Sequence, residues 1–396
     1  MLGLMNGINT GKGYITRSAL FGIWSVSALT SLPGLAISPI SEKLSTIFPT
    51  ATELDIQSLS TLPSLFIIPF ILLAGFLSSK VSYTKLLYIG LSIFLSSGIL
   101  YFLCDSMWQL IAVSVLLGIG AGIIIPLSTS LVSRFFSGEQ RSRQFGYISA
   151  ITNIALVVAT AVAGWLADIQ WRLPFLVYLV SAVSLMLVPA IKGGEKGVPV
   201  KGGDEALSQA YVDYCSLLKY MLYYLLITYL VMVLSINLPF QMGKMGYDSG
   251  VSGLFISLFF VAMMLPGFFI NRIVAIMGRG VLIWTLLLIG LGLLDIYMNR
   301  SLPSIAVGCV AVGFGYGIAQ PYIYDVTSSL ASPAKVTYAL ALLMTMNYVA
   351  ILISPFGVEA VGDVIGNTGF LPPFLVNAVI AFASMAFLLI RRRLAK

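Results

Sequence analysis

Gly118–Pro126 reads GIGAGIIIP, and 195 residues later Gly313–Pro321 reads GFGYGIAQP. Both follow G-x-G-x-G-I-x-x-P, and both sit inside long apolar runs. The spacing is close to half of the 396-residue chain, as expected for two copies of one unit. The match continues outward. Gly75, Ser79 and Lys80 correspond to Gly267, Asn271 and Arg272 at an offset of 192, and Asn153 to Asn347 at 194. The order is the same in each half, which marks a duplication.

Composition names the solvent. The chain is 59% hydrophobic and 9% charged, with a mean hydropathy of +0.99. Soluble domains carry roughly 25% charged residues, so a chain this apolar requires lipid around it. The net charge of +7 is spread through short loops between apolar runs, which argues against a nucleic-acid surface. There is no histidine, which removes His-based metal sites, nucleophile pairs and proton relays. Cys104, Cys215 and Cys309 are far apart and form no C-x-x-C, so they read as small core residues. No cofactor or metal is implied.

Twelve stretches are long enough to cross a bilayer, which takes about 20 residues. Their limits are near 18–40, 56–79, 83–104, 107–133, 144–167, 173–191, 216–241, 249–271, 280–298, 302–325, 336–358 and 370–390. The first follows Lys12 and Arg17 and is too long for a signal-peptide core, so it reads as a span. The ninth is the weakest, with Asp295 near its end. Ser41–Phe48 reads as a short amphipathic helix at the surface. Residues 192–214 hold KGGEKGVPVKGGDE, a linker too polar to pack a core. The expected organisation is a six-helix bundle over 1–191, a cytoplasmic linker over 192–214 and a second six-helix bundle over 215–396. With the N-terminus in the cytoplasm, the loops place 18 of the Lys and Arg residues inside and 4 outside. That split follows the positive-inside rule and puts both termini in the cytoplasm of a multi-pass plasma-membrane protein.

With these features in place, the chain resembles the major facilitator superfamily over nearly its whole length. Gly75–Lys85, GFLSSKVSYTK, is similar to that family's loop after the second span, with Ser79 where the family has Asp. Gly267, Asn271, Arg272, Gly278 and Arg279 form the second-half counterpart. Gly138–Gly146, GEQRSRQFG, resembles the loop after the fourth span, and Trp171–Phe175, WRLPF, the entry to the sixth. Two departures argue against standard drug–proton antiport: Ser114 stands where many proton-coupled members carry Arg, and Thr160 where drug antiporters carry Pro.

The resemblance implies an all-α membrane protein whose twelve helices form two pseudo-symmetric bundles, a secondary transporter working by alternating access. It also implies a mid-membrane cavity. The polar residues at mid-span are then the candidate substrate contacts: Trp24, Thr30, Asn153, Tyr229, Asn237, Tyr316, Gln320 and Asn347. They are uncharged, which suits a neutral or amphipathic small molecule. Each also has a plainer reading as a polar group bonded between helices. Asp325, Arg272, Arg279, Lys80, Glu139 and Arg141 are the candidate coupling or gate residues. Asp325, near the cytoplasmic boundary, reads first as an ion-pair partner of Arg272 or Arg279, and second as a protonatable coupling group. The expected partners are a small-molecule substrate, the bilayer and, on family grounds, protons; no nucleic acid is implied, and a monomer is expected. Export is slightly favoured over uptake of a small organic solute. A transporter-like receptor or a membrane enzyme is the competing class, but no catalytic pair lies at depth and the tails are short. Tags at the two ends should label from the same face of intact cells, and opposite faces would show the span count to be wrong.

Overall fold

Backbone amides in hydrocarbon have no water to bond, so each apolar run closes its own hydrogen bonds as a helix. The computed structural model describes residues 7–33, 44, 47–49, 53–194, 211–247, 249–299, 301–364 and 373–394. Among them twelve long helices follow in order. The first six are α1 (Arg17–Leu29), α2 (Glu53–Leu77), α3 (Tyr83–Phe102), α4 (Met107–Phe135), α5 (Gly138–Ile169) and α6 (Ser181–Gly194). The rest are α7 (Tyr214–Lys244), α8 (Ser249–Met277), α9 (Val281–Met298), α10 (Leu302–Ser329), α11 (Val336–Val364) and α12 (Pro373–Leu394). Among the described residues, ten helical segments from α3 onward are long and apolar enough to cross a membrane, and α2 adds the apolar stretch Leu62–Leu77.

The expected spans and the helices agree closely, with physical reasons at the ends. Ser106 and Gln109 form a reciprocal capping box that starts α4. Thr16 accepts from the Ala19 amide and starts α1. The sixth span begins as a 3-10 helix, Leu173–Val180, with Pro174 in its first turn. Asp295 does not interrupt α9, because its carboxylate accepts from Asn299 and Ser304, each at 2.6 Å, at the α9–α10 turn. Pro266 bends α8, where Phe269 departs from helical geometry. The far part of the first expected span, most of Ser41–Phe48 and residues 195–210 of the linker lie outside the described residues.

One element has no forewarning in the apolar pattern. Strands β1 (Ile8–Asn9) and β2 (Tyr14–Ile15) form an antiparallel hairpin. Gly11 supplies the turn with a φ of +78°, which side-chain-bearing residues rarely adopt. Ile15 and Thr10 are buried.

The chain divides into two compact units. One comprises residues 1–217 with 324–348, and the other 218–323 with 349–396. The repeat glycines do the same work inside each. A Cβ on Gly118 would lie 2.6 Å from the Pro63 carbonyl oxygen, one on Gly120 2.8 Å from the Phe94 nitrogen, and one on Gly122 2.8 Å from the Ile67 oxygen. In this unit α4 therefore lies backbone to backbone against α2 and α3. In the other unit, a Cβ on Gly313 would lie 2.5 Å from the Phe259 oxygen and one on Gly315 3.1 Å from the Thr285 oxygen, while one on Gly317 would run into the Met263 oxygen. The outer glycines of each triplet face the second helix of their half and the middle one faces the third. The duplication visible in sequence is thus a duplication of contacts.

Gly118→Leu or Gly313→Leu should abolish the monodisperse peak in detergent size-exclusion chromatography, because overpacking of this kind costs several times the ~1–3 kcal/mol of an added methylene. Gly253→Ala, which meets nothing within 4 Å, should leave it intact.

Candidate functional site

In the unit holding residues 218–323, polar side chains of α7 and α10 meet at mid-span. Tyr316 is fourteen residues past Leu302, about 21 Å along a helix axis. Its hydroxyl lies 3.5 Å from that of Tyr224, and both rings are buried. The Gln320 amide donates to the Tyr224 hydroxyl at 3.2 Å and reaches Tyr316 at 3.5 Å. Thr228 also bonds Tyr316, and Tyr220 bonds Tyr322. Numbers rise along α7 as they fall along α10, so the two helices run antiparallel with a hydroxyl ladder between them. Tyr229 faces another way and bonds Asn377 on α12. Asn237 is half-buried and donates to its own helix at Val233, 2.9 Å away.

In the other unit, Trp24 donates its indole N–H to Gln144 at 3.0 Å. The Tyr147 ring stands edge-on to Trp24 at 6.1 Å, and the Arg143 Nε donates to the Tyr147 hydroxyl at 2.6 Å. Gln144 is six residues into α5, about 9 Å along the axis, so Trp24 sits nearer the helix ends than the expected mid-span. Thr30 donates to the Ser27 carbonyl at 2.7 Å, and Ser31 crosses to the Thr152 carbonyl at 3.1 Å. Asn153 is buried and donates to the Ser149 carbonyl at 2.8 Å. Asn347 is half-buried on α11.

Tyr316 and Gln320 are therefore brought together, with Tyr224 and Thr228 as partners, while Trp24 is held by Gln144 and Tyr147, Tyr229 by Asn377, and Thr30, Asn153 and Asn237 by carbonyls of their own helices. The spacing of Tyr220, Tyr223 and Tyr224 on one face of α7 was a usable signal. Gln144 offered none, since its role depends on where α1 lies.

The gate candidates resolve differently from expectation. Asp325, expected beside Arg272 or Arg279, meets Arg141: Arg141 Nε lies 2.7 Å from its carboxylate, and Arg141 Nη2 donates to Ser329 at 2.7 Å. Which cation meets Asp325 is set by helix packing, which no local pattern encodes. Arg272 is exposed, and the Arg279 side chain lies outside the described residues. Lys80 is exposed over its own helix neighbour Phe76, with 4.3 Å to the ring. Glu139 is exposed in the first turn of α5, a favourable place for a negative charge.

Around the pair, this end of the unit is tied by several contacts. The Ser137 amide donates to the Thr10 carbonyl of the hairpin at 3.0 Å. Lys12 Nζ donates to the carbonyls of Ser133 and Arg134 at 2.9 and 3.3 Å, closing the C-terminal end of α4. Burial, then the charges of Arg141 and Arg134, lower the Lys12 pKa. Val212 bridges to Ala331, with the Asp213 amide bonded to Leu330 at 2.9 Å and the Ser332 amide to Tyr211 at 3.0 Å. Asp213 also caps α7 through the Ser216 amide at 3.1 Å, and hydrogen bonds from the Ser216 hydroxyl and then that amide hold its carboxyl below the usual range. Gly75 brings α2 close to α11, where its Cβ would lie 2.5 Å from that of Ala341. Tyr83 donates to the Leu127 carbonyl and accepts from Ser130, under the Arg134 guanidinium. At the sixth span's entry, Arg172 clamps the Cys104 carbonyl at 3.0 Å and Asp105 at 2.6 Å, and Phe175 stacks on Tyr101 at 4.2 Å. Among the described residues no group of three or more His, Cys, Asp or Glu is placed to hold a metal.

The Major Facilitator Superfamily pattern matches residues 19–355, and the chain belongs to that superfamily, whose members are membrane transporters and not enzymes. A 126-residue stretch is 31% identical to the multidrug transporter protein MdtP of Bacillus subtilis, covering 32% of this chain and 22% of that protein. A 154-residue stretch is 27% identical to the quinolone resistance protein NorA of Staphylococcus aureus, covering 39% and 38%. The chain thus aligns with well under half the length of these relatives. Among solved structures, the human organic anion transporter MFSD10 matches with a TM-score of 0.75 at 16% identity, over 93% of this chain and 98% of that one. The proton:xylose symporter XylE bound to a bromodeoxyglucose matches at 0.73 and 13%, over 93% and 94%. At these identities the likeness is one of fold.

Arg141→Ala and Asp325→Ala should each lower the thermal unfolding midpoint, and the double variant should lose less than their sum. The pair is partly exposed, so the coupling should be about 1 kcal/mol or less. Strict additivity would show the pair to be ornamental.

Proposed function

We propose that this member of the superfamily is a secondary transporter that exports a neutral or amphipathic organic molecule by alternating access. The observation that carries the reading is the uncharged cluster of Tyr224, Thr228, Tyr316 and Gln320 at mid-span. Aromatic faces with a few hydroxyls and one amide recognise shape and apolar area, with little demand for a charged partner. Such a surface tolerates varied cargo. The likeness to MdtP, a multidrug transporter, and to NorA, a quinolone resistance protein, supports the same reading.

Alternating access asks that one end be held closed while the other admits cargo. The Arg141–Asp325 pair, with Ser329 and the close approach of Gly75 to Ala341, is suited to closing the basic end. In this reading residues 1–191 and 215–396 are the two moving bundles joined by a linker over 192–214. The protein works as a monomer in the plasma membrane, with both termini in the cytoplasm. Protons are the candidate coupling ion, and Asp325 is the carboxylate through which they would act. Its salt bridge to Arg141 gives protonation something to break.

Purified protein in liposomes tests the reading. An amphipathic dye should be carried saturably, and Tyr316→Phe or Gln320→Ala should raise its KM several-fold, since one hydrogen bond is worth about 1 kcal/mol. Flux that ignores an imposed pH gradient and is unchanged by Asp325→Asn would remove proton coupling. Saturable carriage of a polar metabolite, with the dye ignored, would favour uptake over export.

A further inference from the structure

In the unit holding residues 218–323 and 349–396, one end is basic. Lys219 stands in the second turn of α7, and Arg391, Arg392 and Arg393 close the last turn of α12. All four are exposed. Among the described residues Arg141 and Arg172 meet carboxylates, whereas these four meet none. Lys219 and Arg391 meet aromatic rings instead. The Tyr220 and Tyr223 rings stand 6.2 Å apart at 73°. Lys219 Nζ lies 5.7 Å from the first centroid and 5.9 Å from the second, within the range at which a ring face attracts a cation. Arg391 reaches across from α12 to bond the Tyr223 hydroxyl. Two cations from two helices therefore share one ring. The platform beneath them is fixed: Tyr220 bonds Tyr322, and Tyr229 bonds Asn377 further along α7 and α12. Arg392 turns the other way, to the start of α9, where a Cβ on Gly280 would lie 3.4 Å from its guanidinium and 3.4 Å from the Trp284 indole.

One turn deeper, the same helix faces are apolar and uncovered. Leu222 follows Lys219 by three positions and Phe387 precedes Arg391 by four, spacings that keep side chains on one face. Leu222 is 56% exposed and Phe387 62%. Both helices are long and apolar enough to cross a membrane. A boundary cation above an exposed hydrocarbon side chain complements a phospholipid: charge meets phosphate, and side chain meets acyl chain. A soluble anion would use only the first half of that arrangement.

We propose that Lys219 and Arg391 bind the phosphate of an anionic phospholipid at the seam of α7 and α12, with its acyl chains along Leu222 and Phe387. Phosphate accepts from an ammonium and from a guanidinium fork alike. It brings to this pair the negative charge that no described carboxylate supplies. Basic residues at a membrane boundary attract anionic headgroups in general. Here Tyr223 gathers two of them at one place, which makes the attraction local and saturable. A zwitterionic headgroup carries its own cation toward Lys219 and Arg391 and binds less well. None of this depends on what is transported or in which direction.

The test uses full-length protein in detergent, supplied with equal amounts of phosphatidylglycerol and phosphatidylcholine bearing identical acyl chains. Native mass spectrometry reads the lipid retained. The unaltered protein should keep phosphatidylglycerol at least about tenfold over phosphatidylcholine, a difference of about 1.4 kcal/mol. Lys219→Gln with Arg391→Gln should bring the ratio close to one. Lys85→Gln with Lys192→Gln removes the same charge from exposed positions in the other unit and should leave the ratio in place. A preference that survives the first pair of substitutions overturns the proposal. So does one that falls equally with both pairs, since that is the general attraction of a basic protein to anionic lipid. Leu222→Ser with Phe387→Ser keeps the cations and should lower phosphatidylglycerol retention several-fold; unchanged retention overturns the placing of the acyl chains. Inorganic phosphate at matched ionic strength should leave the lipid bound. Displacement by it would assign Lys219 and Arg391 to a soluble oxyanion and overturn the lipid as occupant.

Discussion

The close approach of helix backbones is the constraint on which the structure rests. Lipid offers apolar side chains no reason to prefer each other over acyl chains, so helices associate by packing and by bonds between polar groups. Packing is best where backbones touch, and they touch where Cβ is missing. Gly118, Gly120 and Gly122 let α4 lie on α2 and α3, and Gly313, Gly315 and Gly317 do the equivalent for α10 with α8 and α9. Pro126 and Pro321 close the two motifs inside the same helices. Each triplet places one helix against two others, which sets the geometry from which every later contact follows.

The polar groups then divide by depth. At mid-span they are uncharged and bonded across α7 and α10, a pattern that keeps hydrocarbon from meeting open donors. Toward the helix ends they are ionic. Arg141, Asp325 and Arg172 all sit where water or headgroups screen part of their field, and each reaches a group on another element. An ion at the bilayer centre costs several kcal/mol, so charge is spent at the ends, where loops can be latched, and shape is left to the middle. This division is what one transport protein needs of its two regions.

The terminal hairpin shows how a non-membrane element joins that scheme. Eight residues, Ile8–Ile15, are too few to be stable alone. Here the pair is fixed because Ile15 is buried, Thr10 bonds the α4–α5 turn and Lys12 satisfies two carbonyls that the end of α4 leaves open. A helix end that would otherwise rely on headgroups is completed by the chain itself.

Much of this was legible in the linear chain. The solvent, the span limits and the half-length repeat follow from composition and period, because each is enforced locally: hydrocarbon thickness fixes run length, and backbone amides leave no alternative to helix. The WRLPF motif at the entry to the sixth span was legible as well, though not what Arg172 and Phe175 hold there. Tyr316 and Gln320 were readable as polar residues at depth, but their partners Tyr224 and Thr228 were not. The contact of Asp325 with Arg141 was missed for the same reason. Only the packing of α5 against the end of α10 brings Arg141 to it. Polar pairing across helices depends on which faces are turned together. Rotation of a helix by one residue, about 100°, changes every partner while leaving hydropathy and length untouched.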